Sequence, residues 1–325
     1  MIITQTPLRV SLLGGGTDFP DFYATEPGGV LSATIDKYVY VILKARYDRR
    51  IRVGYTRTEM AGDVRHVEHD LVREALRMTG VDGGVEMATM ADIPSRGSGL
   101  GSSSAVTVGL LHALWTYRGQ LPSRERLADG ACRIELGQLE RPIGRQDQYA
   151  AAYGGLNFIH FTAAGVAVED VAEETATLRR LGERLLLFDT GIARRAAEVL
   201  AEQKARIEEQ RPVLRVLREL AGHGRLALCE GRLDELGTLM DESWQHKRRL
   251  ASRISSTQID ALYATARRAG AGGGKISGAG GGGYLLLYCP LEHQQAVRSA
   301  LHGLDELEFH LTRQGSLVLL NSRSH

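Results

Sequence analysis

Cysteine is scarce in this 325-residue sequence, and its three copies, Cys132, Cys229 and Cys289, are odd in number and far apart. That excludes a disulfide framework and a paired zinc site, and it suits buried free thiols in a reducing cytosol. Charge of one sign is not in excess either: 40 Lys and Arg stand against 39 Asp and Glu, a net +1. Neither nucleic acid nor a membrane surface is an expected partner, so any anion site must be local. Long apolar runs are missing, and a stretch such as Tyr284 to Cys289 falls far below the ~20 residues that span a bilayer as a helix. No basic and then apolar leader opens the chain, so a cytoplasmic location is expected. Nor does any Gly-Lys-Ser or Gly-Lys-Thr triplet occur, which excludes a Walker loop.

What is present is glycine, 38 residues of it, within a composition that is 43% hydrophobic and can support a sizeable core. Residues 8–13 alternate, with Leu8, Val10 and Leu12 on one face, and run into Gly14-Gly-Gly16, which predicts a strand and a tight turn. Residues 38–47 and 85–93 predict further strands, the last ending at Pro94. From Ser102, apolar Leu110, Ala113, Leu114 and Tyr117 recur at helical spacing and predict an amphipathic helix. Another helix is expected to start at the capping residue Ser123 and to stop before Pro142, carrying Glu135. A strand at 185–188 precedes long charged helices over about 193–220 and 226–250, with breaks expected at Pro212 and at Gly222 to Gly224. This pattern reads as two packed α+β domains with a boundary near residues 165–182.

The segment Pro94-Ser-Arg-Gly-Ser-Gly-Leu-Gly-Ser-Ser-Ser-Ala105 lies between a predicted strand and a predicted helix. Glycine lets backbone approach a ligand closely, and a helix start presents unpaired N–H groups and a positive dipole end, so the loop suits phosphate. The run Gly278-Ala-Gly-Gly-Gly-Gly283 fits the spacing of a dinucleotide fingerprint but opens into a strand where a helix is required. The catalytic-loop and metal-binding triads of protein kinases are absent.

Three segments together resemble the GHMP kinases: Pro7-Leu-Arg-Val-Ser-Leu-Leu-Gly-Gly-Gly-Thr-Asp18, the serine-glycine loop, and Lys275-Ile-Ser-Gly-Ala-Gly-Gly-Gly-Gly283. Their order and separation match that family across nearly the whole chain. The resemblance implies a two-domain α+β fold, with a mixed-sheet N-terminal domain over 1–175 and a ferredoxin-like C-terminal domain over 176–325. It also implies ATP and Mg2+ as cofactors, with the phosphates held by Arg96, Gly97, Ser98, Gly99, Leu100, Gly101, Ser102, Ser103 and Ser104.

Asp147 looks like the family's catalytic aspartate, which accepts the proton of the attacking hydroxyl or holds it in line. Arg9 matches the arginine beside it, which keeps the carboxylate ionised and stabilises transferred charge. Ser103 and Glu135 resemble the metal pair, hard oxygen ligands suited to magnesium. The run of three serines is one longer than the usual motif and leaves Ser104 open as the ligand instead.

Within the superfamily, Gly14-Gly-Gly-Thr-Asp18, Thr34-Ile-Asp-Lys-Tyr38, Gly144-Arg-Gln-Asp-Gln-Tyr149 and Thr190-Gly-Ile-Ala-Arg194 look like the D-glycero-D-manno-heptose 7-phosphate kinases, which phosphorylate an anomeric hydroxyl. Gly15-Gly16 stand where galactokinases carry Glu-His. The resemblance places Gly15, Gly16, Thr17, Asp18, Asp36, Gly280 and Gly281 at the acceptor, with Arg194, or else Arg145 or Lys37, on its phosphate. A kinase of a free sugar such as fucose or galactose, a non-catalytic ATP and sugar sensor, and a mevalonate-type enzyme are the competing readings. The third glycine loop is expected either to pack against the phosphate loop or to be a plain strand turn.

Overall fold

The protein is described from a computed structural model covering residues 1–93, 97–172, 175–192 and 196–322. In chain order the first half holds β1 (Ile2–Leu13), α1 (Pro20–Tyr23), β2 (Gly28–Ala45), β3 (Ile51–Gly54), β4 (Thr58–Ala61), α2 (Asp70–Thr79), β5 (Val85–Ala91), α3 (Ser102–Tyr117), α4 (Arg124–Cys132), α5 (Gln146–Tyr153), β6 (Leu156–Thr162) and β7 (Gly165–Asp170). The second half holds α6 (Thr175–Gly182), β8 (Leu185–Asp189), α7 (Ala196–Ala205), α8 (Ile207–Cys229), α9 (Leu233–Lys247), α10 (Thr257–Arg268), β9 (Gly273–Ile276), β10 (Tyr284–Tyr288), α11 (Gln294–Ala300), β11 (Asp305–Glu306) and β12 (Leu317–Asn321).

Eight strands form a mixed sheet in the order β12-β1-β2-β5-β3-β4, with β6 on β2 and β7 on β6. The pair β3–β5 is parallel, whereas β1–β2 and β2–β5 are antiparallel. The second sheet, β11-β8-β10-β9, is antiparallel throughout. Its strands show the two-residue period of a sheet buried on both faces. Leu185, Leu187, Tyr284 and Leu286 enter a core shared with β1 and β2, while Leu186, Phe188, Leu285 and Leu287 enter a second core with α8 and α10.

Three details depart from the sequence reading. The helix from Ser102 is not amphipathic, because α3 is buried on nearly every side between β1, β2, α2, α4 and α5. The break expected at Pro212 falls instead at Arg206, and Pro212 lies inside α8, near its start, where the hydrogen bond it forgoes is to the exposed first turn. Gly224 does not interrupt that helix either, since a Cβ there would sit 2.4 Å from Leu13, so the glycine is a notch that lets α8 lie close over β1.

The division expected between 1–175 and 176–325 is crossed in both directions. Phe19 and Phe22 belong to the second core, while β12 pairs with β1 and joins the first sheet. The tail is tied down along its length: Asp36 N–H donates to the His310 carbonyl at 2.9 Å, and Thr34 Oγ1 donates to that of Thr312 at 2.8 Å. Further along, Ser316 Oγ lies 2.9 Å from both Thr6 Oγ1 and His112 Nδ1. No helix among the described residues is long and apolar enough to cross a membrane.

Candidate active site

The strand β1 carries Leu8, Val10 and Leu12 into the core, which turns Arg9 and Ser11 to the other side. Arg9 is 3% exposed, and all of its guanidinium nitrogens are engaged. Nε and Nη2 each donate to Asp147 at 2.7 Å, and Nη1 donates to the Gly99 carbonyl at 2.7 Å. Its backbone N–H donates to the Leu100 carbonyl at 3.0 Å, so one residue ties the first strand, the serine-glycine loop and α5 together. A guanidinium fork matches a carboxylate in two parallel bonds, which fixes the orientation of Asp147.

The start of α5 organises the carboxylates. Gln146 donates to Asp18 through both its backbone N–H and its side-chain amide, each at 3.2 Å. Asp147 takes Arg9, and Gln148 Nε2 donates to Glu135 Oε2 at 2.7 Å. The two glutamines thus hold two separate carboxylates on either side of a third, Asp147 itself. Glu135 sits in a π turn over Arg133–Gln138, fully buried, and its other oxygen accepts from Ser103 Oγ at 2.9 Å. Burial pushes its pKa up, with the hydrogen bonds from Gln148, Ser104 and Ser103 and the charge of Arg141 opposing the rise. Burial likewise raises Asp18, and the nearby Asp147 charge adds to it, while N–H groups of Gly16 and Gln146 pull the other way.

The serine-glycine loop ends at Gly101, the N-cap of α3, in a left-handed conformation (φ 78°) and without a side chain to cap the helix. The first N–H groups of α3 are therefore left for a ligand. Against the other side of the loop lies the third glycine run. A Cβ on Gly278 would fall 2.7 Å from Gly99 Cα, and one on Gly283 would fall 2.3 Å from the Gly97 carbonyl. The two glycine loops are in backbone contact, which settles the choice between a packing partner and a plain turn.

Two openings flank this assembly. A cleft beside Asp147 is lined by Arg9, Ser11, Gly15, Gly16, Asp18, Gln146, Gln203, Lys247, Gly278 and Ala279. Behind its Gly15 wall lies Lys275, 1% exposed, with Nζ 3.5 Å from Ser11 Oγ and from the Leu12 carbonyl. Burial drives the Lys275 pKa well down, helped by the charges of Lys247 and Arg9 and opposed by Asp18 and Asp147. On the far side of Ser102 and Ser103 is a cavity of about 720 Å³, walled by Tyr55, His69, Leu71, Ile93, Val106 and Arg141. Burial lowers the pKa of His69, whose ring meets Tyr55 edge-on.

The structure brings together Arg9, Asp147, Gly15, Gly16, Asp18, Gly97 to Ser104 and Glu135. Both Ser103 and Ser104 reach Glu135, but Ser103 is exposed at the loop's mouth whereas Ser104 is buried. Leu100 sends its side chain into the core and offers only backbone. Four residues expected at the acceptor lie elsewhere. Thr17 is fully buried with its hydroxyl spent on Gly14 and Gly29, because it closes the turn after β1. Asp36 accepts from His310 N–H at 2.8 Å and pairs with Lys37, which anchors the tail. Gly280 and Gly281 face Ile254 and the Arg253 carbonyl, since that segment packs where their side chains would be. Arg145 turns to Asp129, Tyr23 and Tyr149, and Lys37 stays with Asp36, so neither enters the cleft. Arg96 and Arg194 lie outside the described residues. Sequence reasoning missed Gln146, Gln148, Gln203, Lys247 and Arg141; the glutamines flanking Asp147 at a helix start were the legible signal.

Among the described residues no group of three or more His, Cys, Asp and Glu side chains could hold a metal. A metal shared with substrate phosphates needs only one or two protein ligands, and Ser103 with Glu135 offers that number of hard oxygens.

Residues 66–155 match the GHMP kinases N terminal domain and residues 225–304 the GHMP kinases C terminal family. Over 309 residues the chain is 30% identical to D-glycero-alpha-D-manno-heptose 7-phosphate kinase of Campylobacter jejuni, covering 88% of this chain and 89% of that protein. It is 29% identical over 315 residues to the bifunctional fucokinase/GDP-fucose pyrophosphorylase of Arabidopsis thaliana, which covers 87% of this chain but 29% of that protein. A solved D-glycero-D-manno-heptose 1-phosphate kinase from Bacteroides thetaiotaomicron has a TM-score of 0.82 and 24% identity, covering 99% of this chain and 100% of the other, a likeness of fold.

Proposed function

Because the chain belongs to the GHMP kinases, we propose that it transfers the γ-phosphoryl group of ATP to the anomeric hydroxyl of a sugar, D-glycero-D-manno-heptose 7-phosphate, giving the 1,7-bisphosphate. The observation that carries the reading is the position of Asp147, held by the Arg9 fork between an uncapped helix start and the polar cleft that Asp18 and Gln146 line.

The nucleotide's base and ribose occupy the cavity beside α3, with its phosphates on the loop backbone and the first N–H groups of the helix. Ser103 and Glu135 would hold Mg2+, which would supply positive charge to neutralise charge that develops on the phosphates. Asp147 accepts the proton of the attacking hydroxyl or holds it in line, and the Arg9 fork fixes how the carboxylate is turned.

In the cleft, Asp18 and the side-chain oxygen of Gln146, which is buried without a hydrogen-bond partner, accept from sugar hydroxyls. Arg194 is the basic residue proposed for the acceptor's own phosphate, and Lys247, whose Nζ donates to the Gly278 carbonyl at 2.5 Å, lines the same cleft.

The test is ADP release with magnesium-ATP against heptose 7-phosphate, free heptose, fucose, galactose and mevalonate. Turnover with heptose 7-phosphate alone supports the proposal. Turnover with a free sugar alone keeps the kinase and removes the second phosphate site, and silence throughout in the presence of ATP binding points to a sensor.

A further inference from the structure

A cation of the protein itself stands where the metal is expected. Arg141 follows the π turn that carries Glu135, and its Nη1 lies 2.6 Å from Ser103 Oγ and 3.3 Å from Glu135 Oε1. The other guanidinium nitrogen, Nη2, donates to Asp70 at 2.8 Å, at the start of α2. These contacts bridge the two hard oxygens between which a divalent ion would sit.

The surroundings are unlike those of a merely structural ion pair. Glu135 is wholly buried, whereas the Arg141 side chain is 28% exposed and lines the large cavity together with Ser102, Ser103 and Asp70. A buried carboxylate without a cation is costly, so a nucleotide-free protein gains by supplying its own. Yet the same oxygens cannot serve both ions. A guanidinium and a divalent cation on one carboxylate oxygen would repel at close range, and they would overlap.

Resting on the reading of Ser103 and Glu135 as the metal pair, we propose that Arg141 occupies the metal position until nucleotide arrives. It then turns about its Asp70 contact onto the nucleotide phosphates as the metal-nucleotide enters. The pivot is available because the guanidinium is held at two ends, one by Asp70 and one by the metal pair. Releasing the second end leaves Nη1 in the cavity that Ser102 and Ser103 also line, where phosphates on the start of α3 would lie. Free metal is thereby kept out, and metal and nucleotide load together.

The experiment measures Mn2+ binding to nucleotide-free protein from the free-ion electron paramagnetic resonance signal, for wild type, Arg141→Gln, Arg141→Ala and Arg141→Gln/Glu135→Gln. Thermal melting confirms that each is folded. Both single variants are expected to bind Mn2+ at least about tenfold more tightly than wild type, the factor that one lost close charge contact of ~1.4 kcal/mol would give. The double variant is expected to lose that gain. Calorimetric titration with Mg-ADP is expected to show little change for Arg141→Gln, because the roughly tenfold gain from vacating the metal pair is offset by the loss of one charge-assisted contact to phosphate.

Equal Mn2+ binding by wild type and single variants overturns the proposal, and if Glu135→Gln alone still weakens Mn2+-ADP binding the metal reading survives it. A gain that persists in the double variant places the metal away from Glu135 and overturns both. Mg-ADP binding to Arg141→Gln about tenfold tighter than to wild type overturns the movement onto phosphate.

Discussion

Asp147 accepts two hydrogen bonds of 2.7 Å from Arg9, a residue 138 positions earlier in the chain. The fork makes a sharp prediction. Asp147→Asn keeps the shape but loses the charge and the proton acceptor, so kcat should fall roughly 10²- to 10⁴-fold. A loss of less than tenfold, measured as ADP release, would leave Asp147 as a positioning group only. Arg9→Lys keeps the charge but cannot reproduce the fork, and it should also depress kcat rather than behave as a conservative change.

The contact between the two glycine loops can be isolated from backbone strain. Gly278 and Gly80 both have φ near +68°, but a Cβ on Gly80 meets nothing within 4 Å, whereas one on Gly278 meets Gly99 at 2.7 Å. Gly80→Ala should therefore cost only the left-handed penalty of roughly 1–2 kcal/mol, with unchanged KM for ATP. Gly278→Ala should melt lower than that and raise the KM for ATP, because the phosphate loop must move. Equal KM values in the two variants would show that the loops are independent.

Lys275 has a pH signature. Its pKa is well below 10.5 in the folded protein, so between the two values the unfolded chain holds a proton that the folded one does not. Stability then rises with pH in that window, by at most about 1.4 kcal/mol per pH unit. Urea titrations at pH 7, 8 and 9 should show wild type gaining on Lys275→Met. Parallel trends would mean that Lys275 is charged in the fold.

His112 gives the acid counterpart. Burial lowers its pKa from 6.5 to about 4, with Nδ1 against Ser316 on the returning tail. Above pH 6.5 the ring is neutral in both states. As pH falls below that, the unfolded chain takes up the proton, and stability is lost down to about pH 4, up to roughly 3 kcal/mol in total. His112→Gln should flatten this part of the stability profile, as read by denaturant titration between pH 7 and 4.

Local rules made much of this legible. The alternation of Leu8, Val10 and Leu12 predicted the strand that turns Arg9 inward, and Ser123 caps its helix by accepting from Arg126 N–H at 3.1 Å. The serine-glycine loop between strand and helix was recognisable because its backbone needs are local. The long-range partners were not legible in the same way. Nothing near Thr17 reveals that its hydroxyl is taken by Gly14 and Gly29, and nothing near Asp36 reveals the tail that covers it. Gly224 looked like a helix breaker because the Leu13 side chain that needs the space is more than two hundred residues away. Arg141 precedes Pro142 and belongs to none of the quoted motifs, and only folding brings Ser103, Glu135 and Asp70 around it.

The pairing of β12 with β1 also bears on how the molecule is made. Its register, Ile2 with Asn321 through Gln5 with Leu317, joins residues more than three hundred positions apart. On the ribosome β1 emerges before β12, so its outer edge stays open until the last of these residues has been released. An open edge is a template for strand pairing with other chains, and contacts this remote form slowly. Arg9 and Ser11 lie farther along that same strand, beyond the stretch that β12 pairs, so a nascent chain lacking β12 carries an open edge next to the site and has a reason to be held by a chaperone.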